Sequence, residues 1–239
     1  GNMTEHQLVI AETTFGGRKD LAGPSGIIDY GSLIYIALER AKTAREAIEV
    51  MTRLTEEFGY ASTGESFSIA DPNEVWILEM IGRGKGQKGA LWVAYKLPDG
   101  TISAHANQAR IRQFPQNDAK SALFSKDLIA FARDKGWFKG ADKDFSFADT
   151  YNPLEFESQR FSEARVWSIF RRAAPSLGLG PEYADGSAPD KRLPLWIKPD
   201  RKLSVQDAMA LMRDHFQGTP LDLSKDVGAG PYGLPYRWR

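Results

Sequence analysis

The stretch that decides the fold runs from Val75 to Asn107 and reads VWILEMIGRGKGQKGALWVAYKLPDGTISAHAN. It contains two apolar segments joined by a glycine-rich connection, then a turn at Pro98-Asp99-Gly100 and a third, shorter segment. Apolar runs bounded by glycine and turn residues are typical of β-strands. The connections are short, and parallel strands need a crossover of a dozen or more residues, so we predict antiparallel neighbours.

The first of these strands, predicted over residues 74–81, is apolar on both faces. Its side chains alternate between two sets, Val75, Ile77 and Ile81 on one face and Trp76, Leu78 and Met80 on the other. An antiparallel sheet usually leaves one face to water, so this strand predicts a sheet that is covered on both sides. Together with helices upstream, it indicates an α+β protein built as a layered sandwich. A four-layer αββα arrangement, with antiparallel sheets between helix layers, would satisfy the pattern, although the pattern does not require it.

The segments before this stretch predict one strand and two helices. Residues 8–15 are rich in apolar and β-branched side chains and are followed by two glycines, which indicates a strand and a turn. A helix is expected over 31–42, and a second over 43–58 is opened by the capping pair Thr43 and Glu46 and stopped by Gly59. Further strands are predicted over 66–70, 90–97 and 101–106.

The character of the chain changes after about residue 114. Helices are predicted over 125–135, 163–173 and 204–216, with a proline- and glycine-rich irregular segment over 175–199. We therefore expect residues 1–115 to form the central part of the core. Residues 116–239 are expected to form a mainly helical and loop-rich segment packed on the same domain.

The composition excludes several functions within these residues. The chain has 239 residues with 31 basic and 31 acidic side chains, so no net charge attracts a nucleic acid. No apolar run approaches the roughly 20 residues that a membrane span needs. The absence of cysteine excludes disulfides, cysteine-based zinc sites and thiol nucleophiles within the chain.

Three familiar motifs have a simpler explanation. Residues 84–89 match G-x-G-x-x-G, but a strand follows instead of the helix that a dinucleotide site needs, so a flexible hairpin is favoured. Asp99, Ser103 and His105 lie within one turn and strand and no G-x-S-x-G elbow exists, which favours a solvated hairpin edge over a serine triad. The three histidines do not have metal-ligand spacing.

Polar side chains inside apolar strands are the better candidates for a site. Glu12 and Glu79 must each be paired, or the pKa of the carboxyl rises. Either could face solvent on an alternating strand, or act as a site acid for a cationic group of a substrate. Asn107 and Gln108 offer amide donors at a strand end. They fit either a strand cap or turn, or donors that stabilise an oxyanion.

Four stretches occur in the same order as in a known family. They are 4–15, 65–71 with 74–79, 92–100 continuing through 106–111, and 163–167 with 218–220 and 230–233. With them the chain resembles the dipeptidases of peptidase family C69, which are N-terminal-nucleophile hydrolases, and the resemblance covers essentially the whole chain. It implies the four-layer αββα fold and hydrolysis of dipeptides with broad side-chain tolerance. It also implies a nucleophilic cysteine whose own α-amine acts as the base.

The resemblance suggests roles for particular residues. By position, Asn107 looks like the oxyanion-hole asparagine of related amidases, and Thr14 would supply a second donor through its backbone N–H. Glu12 or Asp71 would hold the free amine of the substrate. Arg110 or Arg165 would hold its carboxylate, because a guanidinium binds a carboxylate through two parallel hydrogen bonds.

No metal or organic cofactor is implied. The expected partners are a dipeptide substrate and the remaining segments of the same hydrolase, without nucleic acid or a membrane span, and a homo-oligomer is left open.

The chain departs from the family pattern in three ways. It has no cysteine, it has Thr4 where the family usually has asparagine before Glu5-His6, and it stops at Arg239 before the family's C-terminal strands. We therefore expect an internal portion of a longer hydrolase that is stable only beside the missing pieces. Its compartment is open between the bacterial cytoplasm and, with an upstream signal peptide, the periplasm or the exterior.

Two other functions remain open at this stage. One is an amidase of the same fold that cleaves N-acyl amino acids or bile-salt-type amides. The other is a non-catalytic binding module that retains the fold and uses Tyr232, Tyr236 and Trp238 as surface anchors.

Overall fold

The computed structural model describes residues 1–22 and 26–225. The chain forms two compact units, one of Gly1–Pro98 with Asn107–Leu154 and the other of Asp99–Ala106 with Glu155–Arg239. The grouping expected from the sequence, 1–115 and 116–239 within one domain, stays a prediction. The resemblance at 230–233 and the three C-terminal aromatic residues named above lie outside the described residues.

The first unit is built around a six-stranded antiparallel sheet. Its strands are β1 (Asn2–Met3), β2 (Val9–Gly16), β3 (Gly64–Ala70), β4 (Val75–Gly82), β5 (Ala90–Lys96) and β7 (Ala122–Phe124), in the order β1-β2-β3-β4-β5-β7. The predicted strands over 8–15, 66–70, 74–81 and 90–97 are therefore confirmed, with β3 beginning two residues earlier than expected.

Two helices, α1 (Tyr30–Arg40) and α2 (Ala44–Phe58), pack on one face of this sheet. The Thr43 hydroxyl accepts from the Glu46 backbone N–H, as the capping signature predicts. Gly59 ends α2 with a φ of 75°, which is the conformation that glycine adopts without a Cβ penalty. The apolar sides of both helices and of the strands form one buried core with Trp76, Leu78 and Met80.

The opposite face of the sheet is covered as well. Ile77, Ile81 and Val93 are at most 2% exposed on that side, and Val75, at the strand end, is 42% exposed. Burial on both sides confirms the prediction made from the apolar pattern of β4. The second half of this unit adds α3 (Leu128–Asp134) and α4 (Phe147–Tyr151).

The second unit holds a two-stranded sheet of β6 (Ile102–Ser103) and β8 (Trp196–Ile197), with the helices α5 (Ala164–Ala173) and α6 (Val205–Met212). A π-helical turn, Ser158–Glu163, leads directly into α5. The buried side chains of this unit form clusters around Phe170 and Trp167.

The strand predicted over 101–106 was wrong in length and in partner. Only Ile102 and Ser103 are extended, and they pair with Ile197 and Trp196 instead of joining β5. The edge of β5 is taken by β7, whose residues 122–124 pair with Val93–Tyr95. A strand of three residues is too short to leave an alternating pattern, so the sequence did not predict that β7 would pair with β5.

The architecture is mixed, with an antiparallel sheet and helices, as the α+β prediction requires. The four-layer αββα form remains part of the proposal below. Within residues 1–22 and 26–225, none of the helices is long and apolar enough to cross a membrane.

Candidate functional site

The candidate site lies where β2 and β3 pair, at the end of β2. Thr14 is directly opposite Glu65, and Glu12 is opposite Phe67. Because side chains alternate along a strand, Glu12, Thr14 and Glu65 share one face of the sheet. The register shifts between Thr14 and Gly16, so the strand bends immediately after the site.

Glu65 is the buried member of this group. It is fully buried, and the Thr14 hydroxyl donates to its Oε2 over 3.0 Å. Burial raises the pKa of Glu65 to about 9, and the hydrogen bond and negative charge of Glu12 add to the rise. A carboxyl with this pKa holds its proton at neutral pH.

Asn107 reaches the same strand from a turn. Its φ of 62° lies in the left-handed region, which asparagine tolerates better than other non-glycine residues. Its Nδ2 donates to the Thr14 carbonyl over 2.6 Å. An amide nitrogen carries two protons, and this bond uses one of them to orient the side chain.

The segment that follows Asn107 is fixed residue by residue. Gln108 donates to the Asn152 carbonyl over 3.3 Å, and the Ala109 N–H donates to the Asn152 side chain over 3.0 Å. The next two backbone N–H groups, of Arg110 and Ile111, donate to the carboxylate of Glu79 over 2.6 and 3.0 Å. Rigid support of this kind holds a functional side chain in one geometry.

Glu79 is buried on the opposite face of the sheet from Glu65. Burial raises its pKa to about 7, although the two backbone donors and Arg110 act in the other direction. Ser66, directly across on β3, donates to the same carboxylate over 3.4 Å. The prediction that a carboxylate inside β4 must be paired is confirmed, and Glu79 binds the backbone of the segment that carries Asn107.

The structure brings Glu12, Thr14 and Asn107 together, whereas Asp71 lies elsewhere. Asp71 follows the far end of β3, where its carboxylate accepts from the backbone N–H groups of Ala44, Asn73 and Glu74. These bonds make Asp71 a cap between a turn and a helix start. Glu12 is therefore the better of the two candidates for binding the free amine of the substrate.

The two candidate arginines lie in different units. Arg110 belongs to the first unit and is 6% exposed. Arg165 belongs to the second, on α5, and its guanidinium donates to the carbonyls of Phe161 and Ala106. Among the described residues, no three His, Cys, Asp or Glu side chains are grouped as ligands for a metal ion.

Sequence reasoning missed Glu65 and Asn152. Glu65 carried the same signal as Glu12, a carboxylate next to apolar strand residues, but the strand was predicted to begin at Ser66 and left Glu65 outside it. Asn152 follows α4, a five-residue helix that was not predicted, and no local pattern marks its contacts with Phe15 and Ala109.

Comparison with known proteins identifies the family. The family model described as Peptidase family C69 matches residues 1–239, so the chain belongs to peptidase family C69. A protein of Salmonella dublin named a probable dipeptidase is 28% identical over 217 residues, which cover 88% of this chain and 47% of that protein. A dipeptidase of Bifidobacterium longum is 29% identical over 227 residues, covering 91% and 39%.

A third relative, a probable dipeptidase of Latilactobacillus sakei, is 27% identical over 191 residues, which cover 80% of this chain and 37% of that protein. The chain thus spans less than half the length of these curated relatives.

Proposed function

We propose that the protein is a cysteine-type dipeptidase that hydrolyses the peptide bond of dipeptides with broad side-chain tolerance. The residues described here supply the part of the site that holds the substrate and stabilises the oxyanion. The 239 residues contain no cysteine, so in this proposal the nucleophilic thiol comes from outside them. The names of the relatives and the family support the activity.

One observation carries the proposal: a partly exposed carboxylate, Glu12, lies two residues from Thr14, to which Asn107 is bonded. Two residues along a strand span about 7 Å. In a dipeptide the free amine and the scissile carbonyl belong to the same residue. A site with an anion for the amine and amide donors for the carbonyl at this spacing therefore fits a substrate cleaved after its first residue.

Asn107 and Thr14 would stabilise the tetrahedral intermediate. When a thiolate attacks the carbonyl, negative charge develops on its oxygen, and donors that are already oriented stabilise that charge without reorganising. The bond from Asn107 to the Thr14 carbonyl provides that orientation. The second donor is proposed to be the Thr14 backbone N–H.

Of the two candidate arginines, Arg110 belongs to the same unit as Glu12 and Asn107, and we propose that it holds the substrate carboxylate, because a guanidinium binds a carboxylate in a fork geometry. Recognition of the two charged termini, with few contacts to side chains, is the physical basis for the broad tolerance that we propose. The αββα fold belongs to the same proposal, with the six-stranded sheet described above as one of its two sheets.

The test compares hydrolysis of Ala-Ala and N-acetyl-Ala-Ala by the full-length protein that contains these residues. Glu12→Ala is expected to raise KM for Ala-Ala about tenfold or more while leaving the N-acetylated substrate nearly unchanged. Glu39→Ala, which removes an exposed glutamate of α1, is the matched control and should change neither.

Each outcome separates the candidate functions. An equal effect of Glu12→Ala on both substrates would contradict the role of Glu12. Preference of the unmodified protein for the acylated substrate would indicate an amidase of the same fold. Absence of hydrolysis with retained binding would indicate a binding module.

A further inference from the structure

Glu65 and Glu12 form a pair of carboxyl groups on neighbouring strands. Glu12 pairs with Phe67, and Glu65 lies two positions before Phe67 on the same face, so the two carboxyls are diagonal neighbours across the strand pair. The Thr14 hydroxyl, opposite Glu65, occupies Oε2. Glu65 is fully buried, whereas Glu12 is partly exposed. The pair thus has one solvent-facing member and one member behind it.

Glu65 Oε1 has no conventional hydrogen-bond donor among the described residues. The strand register places the carboxyl of Glu12 diagonally across from Glu65, and a side-chain hydrogen bond between the two carboxyl groups contributes to the raised pKa of Glu65. Two ionised carboxylates cannot donate to each other, so a proton or a cation must lie between them. This requirement follows from the contact itself.

Within residues 1–22 and 26–225, the groups that shift the pKa of Glu65 do not include a cation. Across the strand pairs, Glu65 faces Thr14 of β2 and Met80 of β4. The nearby connections supply Tyr60 and Asp29. Burial raises the pKa of Tyr60, and the negative charges of Glu65 and Asp29 raise it further, while a hydrogen bond with Ser62 lowers it. Among the described residues, only Glu12 and Thr14 shift the pKa of Glu65.

We propose that Glu65 is a positioning residue that holds a proton against Glu12 in the empty site and releases it when the α-ammonium of a substrate binds to the pair. The inference rests on the proposed function, because it takes Glu12 as the group that binds the amine. The charges balance: a protonated pair and an ammonium give a doubly ionised pair with the ammonium bound, and one proton passes to solvent. Substrate selection is thereby a proton-for-ammonium exchange.

The pH range for this exchange follows from the two groups. The pKa of Glu65, near 9, keeps the proton on the empty pair at pH 7. The α-amine of a peptide has a pKa of about 8, so most of the substrate is charged at the same pH. An opposite charge within a few ångströms lowers a carboxyl pKa by about 1–3 units, and a fall of about 2–3 units brings the pKa of Glu65 to pH 7 or below, so that half or more of the proton is released on binding.

The experiment measures proton release by calorimetry at pH 7, in two buffers with different ionisation enthalpies. The ligand is a ketomethylene isostere of Ala-Ala, which has a free amine and cannot be cleaved, and the control ligand is its N-acetylated form. The full-length protein is expected to release roughly half to one proton per bound isostere, and none with the control. Glu65→Gln should bind the isostere about tenfold more weakly without release, and Glu65→Asp should restore release.

The outcomes distinguish amine recognition by Glu12 from the role of Glu65. Equal affinity for the free-amine and N-acetylated isosteres would overturn amine recognition at Glu12, and with it the role of Glu65. Amine-selective binding without proton release would overturn the role of Glu65 alone. Unchanged release by a folded Glu65→Gln variant would do the same. If that variant does not fold, the measurement on the unmodified protein still decides.

Discussion

At the scale of single residues, Asn107 is the side chain on which the proposed chemistry depends most. Its left-handed backbone and its bond to the Thr14 carbonyl place the amide before any substrate arrives. Local strain of this kind persists only where the surroundings enforce it. Here the surroundings are Asn152 and Glu79, which hold the next four residues.

Replacing Asn107 should therefore affect the chemical step and spare substrate binding. Asn107→Ala is expected to lower kcat for dipeptides about 100- to 1,000-fold with little change in KM, because an oxyanion donor acts mainly on the transition state. Steady-state kinetics on the full-length protein measures this. Asn73→Ala, at an exposed turn position, is the control and should keep its activity. A tenfold rise in KM at unchanged kcat would contradict the oxyanion role.

A second prediction concerns Glu79, which accepts two backbone hydrogen bonds on one carboxylate. Glu79→Gln leaves one oxygen for two donors and turns an amide NH2 toward the other N–H. We expect a loss of about 1–3 kcal/mol in unfolding free energy, measured by urea denaturation at pH 7. The exposed Glu39→Gln should stay within about 0.5 kcal/mol of the unmodified protein. Equal stability of the two variants would show that Glu79 does not anchor the segment.

At the scale of elements, the pairing of β2 with β3 depends on close packing at the strand ends. A Cβ added to Gly64 would lie 1.9 Å from a ring carbon of Phe15, which is buried and follows Thr14 directly. The absence of a side chain at Gly64 therefore allows Phe15 to fill the space behind the site.

Gly64→Ala should consequently destabilise the protein by about 1–3 kcal/mol, because Phe15 must move. Displacement of Phe15 shifts Thr14, so dipeptide hydrolysis should fall as well. Gly31→Ala is the control: its Cβ would meet only the Asp29 side chain at 3.5 Å, and alanine favours the helix α1. Thermal unfolding and kinetics of both variants measure the effect, and an equal midpoint for the two would contradict it.

At the scale of the whole molecule, two buried carboxyls make stability depend on pH. Both pKa values are raised from an ordinary value near 4.5, to about 9 for Glu65 and about 7 for Glu79. The folded state therefore binds these protons more strongly than the unfolded state does. Their contribution is fully present below about pH 4.5 and is lost as pH rises through the folded pKa values.

We expect the unfolding free energy to fall between pH 5 and pH 9. Glu65→Gln should remove the fall between pH 7 and pH 9, which is about 2 kcal/mol, and about half of the fall between pH 5 and pH 7. Urea denaturation across this range is the measurement, with Glu39→Gln as the exposed control. A free energy that stays level or rises from pH 7 to pH 9 in the unmodified protein would contradict the raised pKa of Glu65.

The two units should also differ in local stability. In the first, β3, β4 and β5 are inner strands of a six-stranded sheet whose core is fully buried. In the second, β6 and β8 form a sheet of two residues each, which is marginal without further strands. Amides of β4 should therefore exchange hydrogen much more slowly than those of β6, measured by mass spectrometry of peptic peptides. Uniform protection across both sheets would contradict this.

Much of the first unit was predictable because its signals are local. The double-sided apolar pattern of β4 predicted a covered sheet, and Thr43 with Glu46 predicted the start of α2, since each depends on residues within one or two turns or on one strand. Glu12 and Asn107 were singled out as polar residues in or next to apolar strands, Thr14 was added from a resemblance, and the structure brings the three together near the end of β2. Their roles stay predictions until the kinetics are measured.

What the sequence by itself determined is the longer strands and helices of the first unit, the α+β class and the family. What only the tertiary structure decided is which distant residues meet: Glu65 with Glu12, Asn152 with the segment after Asn107, and β7 in place of β6 at the edge of the main sheet. The physical reason is that periodicity and capping report interactions within an element. Charge pairing, burial and strand partnership depend on contacts between residues that are far apart in sequence, such as Asn152 and Phe15, which are 137 positions apart. Such contacts leave no local pattern.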